Sequence, residues 1–230
     1  MLSTHGVQAF YGDFQALFGI DIEVGAGEIV AVIGANGAGK STLLRTITGL
    51  LPAPRESVRF DGESIGGMPA HDIMARGIAL APEGRRLFAS LSVEENLVIG
   101  AYRKRSGGWN LGRVYDLFPV LGEKRRSSCT ELSGGQQQMA AIGRALMSNP
   151  RLLICDEVSL GLAPLVIKQI YGALAALQEE GISLMLVEQD VGLAMRVSSR
   201  LYCLQEGRIS LTGRSEEVTR EQVSAAYFGV

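Results

Sequence analysis

Short apolar runs alternate with stretches of helical period along most of the chain. Segments 2–10, 18–24 and 28–33 read as strands, the last ending in the unbroken run Ile29-Val30-Ala31-Val32-Ile33. A helix is predicted over 39–49, with Leu43, Leu44 and Ile47 on one side and Gly49 at its close. A short strand over 58–61 follows, and Pro69 suits the first turn of a helix running toward Arg76. The middle, 92–129, is more polar. Helices over 93–102 and 111–117 flank the basic run Arg103-Lys104-Arg105-Ser106-Gly107-Gly108, which reads as a solvated loop. After Ser133 the alternation returns: helix 134–147, strand 152–155, helix 165–179, strand 182–187, helix 191–199, then strands 201–205 and 208–212. Strands alternating with helices predict an α/β domain whose largely parallel sheet is covered on both faces. One domain spanning 1–230 is expected, with its core in 1–88 and 149–230 and a helical subdomain inserted at about 89–148.

Composition narrows the picture. The chain has 230 residues, of which 47% are apolar, and a mean hydropathy of +0.18. That supports one large core with an insert. No apolar run approaches the roughly 18–20 residues of a spanning helix, and residues 1–6 show no basic segment followed by an apolar one. A soluble, cytoplasmic protein is expected, with room for a membrane-bound partner. The 22 basic residues against 24 acidic leave a net charge of −2, which gives no electrostatic case for nucleic acid. The three cysteines, Cys129, Cys155 and Cys203, are far apart and odd in number, so neither a disulfide framework nor a zinc site is predicted. The outlying count is 29 glycines, and two glycine clusters carry the chemistry.

The first is Gly34-Ala35-Asn36-Gly37-Ala38-Gly39-Lys40-Ser41-Thr42, placed between an apolar strand and a helix as a P-loop requires. Glycines let successive backbone N–H groups turn toward phosphate oxygens, and the helix start adds donors and the positive end of its dipole. Lys40 would reach the β- and γ-phosphates, and Ser41 would offer its hydroxyl to Mg²⁺. The run Leu152-Leu153-Ile154-Cys155-Asp156-Glu157 is an apolar strand ending in two acids, a Walker B arrangement. Asp156 would hold the Mg²⁺, and Glu157 would polarise the attacking water. Both histidines, His5 and His71, lie far from this strand in sequence, so a carboxylate is the better base.

The second cluster, Leu132-Ser133-Gly134-Gly135-Gln136-Gln137-Gln138, resembles the signature of ATP-binding-cassette (ABC) proteins and stands where that family carries it. The resemblance covers essentially the whole chain and implies the ABC ATPase fold: a P-loop core, an antiparallel β region near the N-terminus and the helical insert. ATP and Mg²⁺ are the implied cofactors. Ser133, Gly134, Gly135 and Gln136 would contact ATP bound by a partner's P-loop. Tyr11 matches the aromatic residue that stacks on adenine, although a place in a strand core is the other reading. Glu83, within Ala81-Pro82-Glu83-Gly84-Arg85-Arg86-Leu87-Phe88, occupies the family's glutamine position, near the metal and water.

Finer features resemble the smaller ATPase subunit of bacterial branched-chain amino-acid importers: Ser159-Leu160-Gly161-Leu162-Ala163-Pro164, Val187-Glu188-Gln189 and the final Ala226-Tyr227-Phe228-Gly229. That implies permease subunits, a periplasmic binding protein acting indirectly, and a place on the inner face of the cell membrane. Importers of urea, short amides or aromatic acids use similar ATPases. Most family members have a histidine where this chain has Gln189, contacting the γ-phosphate on its own P-loop. Ala163 stands where aspartate is usual, Val158 replaces a proline, and Arg55-Glu56 interrupts a common Ser-Gly turn. A second, non-identical ATPase subunit is therefore expected, with a homodimer as the alternative in isolation. Glu83, Arg85, Arg86 and the helical insert would face the permease. A non-transport ABC ATPase would need two cassettes or a long coiled-coil insert, and a small-molecule kinase leaves the signature unexplained.

Overall fold

The computed structural model describes residues 1–228. In chain order its strands are β1 (Leu2–Thr4), β2 (Val7–Tyr11), β3 (Phe14–Ile20), β4 (Glu23–Val24), β5 (Ile29–Ile33), β6 (Val58–Phe60), β7 (Glu63–Ser64), β8 (Ile78–Ala81), β9 (Leu152–Asp156), β10 (Ser183–Glu188), β11 (Arg200–Gln205) and β12 (Arg208–Arg214). The α-helices among the described residues are α1 (Lys40–Ile47), α2 (Ala70–Arg76), α3 (Val93–Ile99), α4 (Leu111–Leu117), α5 (Pro119–Glu123), α6 (Gly134–Leu146), α7 (Pro164–Glu179), α8 (Val191–Val197) and α9 (Arg220–Phe228).

The central sheet runs β12-β11-β5-β10-β9-β8. Its strands are parallel except the edge strand β12, which pairs antiparallel with β11. Every residue of β9 and β10 is buried, as expected of parallel strands covered on both faces. One apolar cluster joins Leu153, Cys155, Leu184 and Leu186 of the sheet to Val93, Leu97, Phe118 and Ile142 of the helical segment. On the other face, Val30, Val32 and Ile154 pack with Leu43 and Ile47 of α1 and with Leu2, Leu17 and Val24 of the N-terminal strands. The three cysteines are free and buried.

Two of the predicted strands split in two. Residues 2–10 form β1 and β2, which enter different sheets, β4-β1-β6-β7 and β2-β3. Residues 18–24 divide between β3 and β4. The cause is a side chain: buried Thr4 donates to the Ile20 carbonyl (2.9 Å) and accepts from the Ile22 N–H (2.8 Å), replacing ladder bonds at the corner. The basic run 103–108 is also tied down. Arg103 pairs with Asp72, and Arg105 donates to the Asn149 carbonyl. Arg55-Glu56 opens a 3₁₀ turn, where the Glu56 carboxylate accepts from Arg59 and Ser64, both at 2.6 Å. Val158 is buried in the cluster shared with the helical segment. Among the described residues, no helix is long and apolar enough to cross a membrane.

Candidate functional site

Three neighbouring strand ends define the site. In β5, β10 and β9, Glu188 lies opposite Ile33 and Val187 opposite Asp156. The glycine loop, Gln189 and the two acids therefore emerge along one edge of the sheet, where open α/β sheets bind ligands.

The loop's conformation depends on two of its glycines. A Cβ on Gly34 would sit 2.4 Å from the Leu204 carbonyl oxygen. Gly39 caps α1 with φ +106, and a Cβ there would lie 2.8 Å from Leu17 Cδ2. The Ala38 N–H bonds back to the Ala35 carbonyl (3.1 Å), and the Ala38 carbonyl accepts from Gly207 (2.9 Å), pinning the β11–β12 turn to the loop. Lys40 is buried. Its Nζ donates to the carbonyls of Gly34 (2.8 Å) and Ala35 (3.1 Å) and lies 3.5 Å from Glu157 Oε1.

Above this loop is a cavity of about 930 Å³, lined by Asn36, Gly37, Gly39, Lys40, Ser41 and Thr42. Glu83, Glu157, Leu160 and Gln189 border it, and the far wall comes from β2, β3 and the turn Glu206-Gly207-Arg208. Such a volume lies within the range of about 300–1,000 Å³ usual for small-molecule sites.

Asp156 ends β9 and is buried, with no hydrogen-bond partner on Oδ1. Burial, reinforced by the charges of Glu157 and Glu83, pushes its carboxyl up to about 6; Lys40 and the Glu83 backbone N–H oppose this. A buried carboxylate oxygen without a protein donor suits a cation, and no cluster of three His, Cys, Asp or Glu side chains among the described residues could hold a metal by itself. Asp156 is not among the residues lining the cavity, whereas Ser41 is; carboxylate and hydroxyl oxygens, completed by phosphate oxygens, are the donor class that suits Mg²⁺. Glu157 is left-handed, at φ +49, and its N–H donates to the Val187 carbonyl (2.9 Å). Gln189 Nε2 donates to Glu157 Oε2 at 2.7 Å. Gln189, expected beside the γ-phosphate, thus holds the second carboxylate of the Walker B pair.

The exposure of Tyr11, 43%, excludes a place in the core. Its phenol bonds to the Thr42 hydroxyl (3.4 Å) and accepts from Arg45 (3.3 Å), and these contacts, Thr42 first, hold it below the ordinary tyrosine range. Its cross-strand partner Phe14 is 70% exposed. Phe14, Gln15, Ala16, Phe18, Glu206, Gly207 and Arg208 also line the cavity, and no sequence motif marks them as a group. Only Glu206-Gly207 carried a local turn signal, and its contact with the phosphate loop is non-local.

Ser133 caps α6 in a reciprocal box. Its Oγ accepts from the Gln136 N–H (3.3 Å), and its N–H donates to Gln136 Oε1 (3.0 Å). A Cβ on Gly135 would lie 2.4 Å from Val166 Cγ1, so α6 and α7 meet closely there. Gly134 lies beside the Arg85 guanidinium. None of Ser133, Gly134, Gly135 and Gln136 lines the cavity.

A phosphate loop, two adjacent acids at a parallel strand end and a capped glycine-rich helix start define a P-loop ATPase with a separate signature helix. Residues 17–159 match the ABC transporter family. The chain belongs to that family and is an ATP-binding, ATP-hydrolysing subunit. It is 46% identical over 233 residues, 100% of both chains, to the "High-affinity branched-chain amino acid transport ATP-binding protein BraG" of Pseudomonas aeruginosa. A solved ATP-binding cassette of an ABC transporter superposes with a TM-score of 0.85 at 28% identity, covering 99% of this chain and 98% of that one. A bacterial ABC transporter cassette solved as a dimer gives 0.82 at 25% identity, with 94% and 99% covered.

Proposed function

We propose that this chain couples ATP hydrolysis to import of branched-chain amino acids, on the cytoplasmic face of the membrane. The observation that carries the hydrolytic part is Glu157, held at the cavity between Lys40 and Gln189. Residues 34–42 cradle the phosphates, and Tyr11 stacks on the adenine. Ser41 and Asp156, with Glu83 beside them, would hold Mg²⁺, which when bound supplies charge stabilisation to the transferring phosphoryl group. Glu157 accepts the proton of the attacking water, and Gln189 fixes the carboxylate's direction. The substrate class rests on likeness to the Pseudomonas aeruginosa relative.

The site is half of a composite one. The start of α6 is outside the cavity on its own chain, and by the likeness to the family Ser133, Gly134, Gly135 and Gln136 are assigned to ATP held by a partner. Gln189 and Ala163 favour a non-identical partner ATPase over a second copy. Residues 89–148 form the helical subdomain that, with Glu83, Arg85 and Arg86, meets the permease, while a periplasmic binding protein delivers the solute. Arg144 of α6 donates to the carbonyls of Arg86 (2.8 Å) and Arg85 (3.1 Å), so that loop and the signature helix are joined. The test is uptake of labelled leucine, isoleucine and valine in cells lacking this chain. Loss of uptake restored by the chain supports the assignment. Unchanged amino-acid uptake with lost uptake of urea or short amides would replace the substrate.

A further inference from the structure

Glu188, the last residue of β10, is 1% exposed. A carboxyl this deep is costly unless its oxygens are bonded. Oε2 accepts from Ser159 Oγ at 2.6 Å, and Oε1 accepts from the Ser159 N–H at 3.3 Å and from the Tyr171 phenol of α7. The next residue, Gln189, bonds Glu157. Two successive residues at the end of β10 thus grip two alternate residues of one loop, the Glu157 carboxylate and the Ser159 backbone and hydroxyl. Beyond these, the Glu157 N–H is held by the Val187 carbonyl at 2.9 Å, while Leu160 N–H to the Glu157 carbonyl and Leu162 N–H to the Ser159 carbonyl, each 3.2 Å, are short turns that leave Ser159 tied to β10 through Glu188. Glu157 is left-handed, a conformation that persists only where its surroundings impose it. Tyr171 anchors the arrangement to α7, a 16-residue helix.

We propose that Glu188 is a positioning residue: through Ser159 it fixes the loop that aims Glu157. The proposal rests on Glu157 as the base, and geometry rather than charge is what Glu188 supplies. Glutamine can reproduce the bonds, because its carbonyl accepts from the Ser159 N–H and Tyr171 while its amide donates to the Ser159 hydroxyl. Alanine cannot.

The test uses the full-length chain assembled with its partner ATPase and three readouts: ATP turnover, ATP affinity and amide hydrogen exchange across residues 157–162. Glu188→Ala should lower turnover by roughly 10–100-fold, since misplacement by about 1 Å costs on the order of 10²-fold. Its ATP affinity should stay within about threefold, and exchange should accelerate in 157–162 alone. Glu188→Gln should restore turnover to within about threefold of wild type. Ser159→Ala, at the surface end of the network, keeps the backbone N–H bond to Glu188 and should cost about three- to tenfold in turnover, less than Glu188→Ala, which loses every bond. It should add nothing to Glu188→Ala if both act through one contact. Wild-type exchange and turnover in Glu188→Ala would overturn the proposal, as would a glutamine variant as impaired as the alanine one. If Glu188→Ala does not fold, wild-type turnover and exchange in Ser159→Ala overturn it instead. Glu157→Gln is the control: retained turnover there defeats the base assignment, while exchange still reports on Glu188 and the loop.

Discussion

Gln189→Ala removes the 2.7 Å bond from Nε2 to Glu157 Oε2 and little else. The acceptor is a carboxylate, and hydrogen bonds to charged groups contribute about 1.5–3 kcal/mol. At about 1.4 kcal/mol per decade of rate, that corresponds to a loss of roughly 10–100-fold in kcat. Lys40 at 3.5 Å remains on the other oxygen, so Glu157 keeps one neighbour and turnover is not abolished. The phosphate loop is untouched, and ATP affinity should stay within about twofold. A mutation that lowers kcat and spares binding marks an interaction that matters in the transition state. The assays are phosphate release at saturating Mg-ATP and titration with a fluorescent nucleotide. Gln189→His keeps a ring N–H donor and should recover at least a third of wild-type turnover. Unchanged kcat in the alanine variant would refute the reasoning, and so would a loss of affinity equal to the loss of kcat/KM.

Three other changes probe separate parts of the account. Gly135→Ala places a Cβ 2.4 Å from Val166 Cγ1 and should lower unfolding stability by about 1–3 kcal/mol. Val166→Ala in the same chain should recover most of that, and a stability unaltered by the first change in denaturant would show that α6 and α7 are not locked there. Asp156→Asn removes a charge whose Oδ1 is buried without a partner. It should raise the Tm of the nucleotide-free chain while ending the gain in ATP affinity that Mg²⁺ gives; a lower Tm counts against the unpartnered carboxylate. Tyr11→Ala should weaken ATP binding by roughly 5–150-fold, since a base stack contributes about 1–3 kcal/mol, whereas Tyr11→Phe should stay within about threefold. Equal losses would transfer the role from ring to phenol.

The parts legible in the sequence are those whose geometry is local. A glycine loop between an apolar strand and a helix, two acids at a strand end and Ser133 three residues before Gln136 each state their own backbone requirement. The split of 2–10 and 18–24 was hidden because one buried hydroxyl, Thr4, turns the chain between sheets. The wall formed by Phe14, Phe18 and the Glu206-Gly207 turn was hidden because it is assembled from distant segments. Exposure removes Tyr11 from the strand core, a point that residue type and position left open. The bond from Gln189 to Glu157 depends on the order β5-β10-β9, which local periodicity does not encode. The basic run 103–108 looked solvated because its partners, Asp72 and Asn149, are far away in sequence. In the C-terminal Ala226-Tyr227-Phe228-Gly229, Gly229 lies outside the described residues.

The central claim is that Glu157 drives hydrolysis at a site completed by another chain's signature helix. The most direct measurement follows ATP binding, phosphate release and particle mass for the full-length Glu157→Gln chain together with its partner ATPase. The account predicts ATP bound with near wild-type affinity, phosphate release from this site lost, and an assembled pair that persists while ATP is present. Wild-type phosphate release from the site held by Glu157→Gln would contradict it.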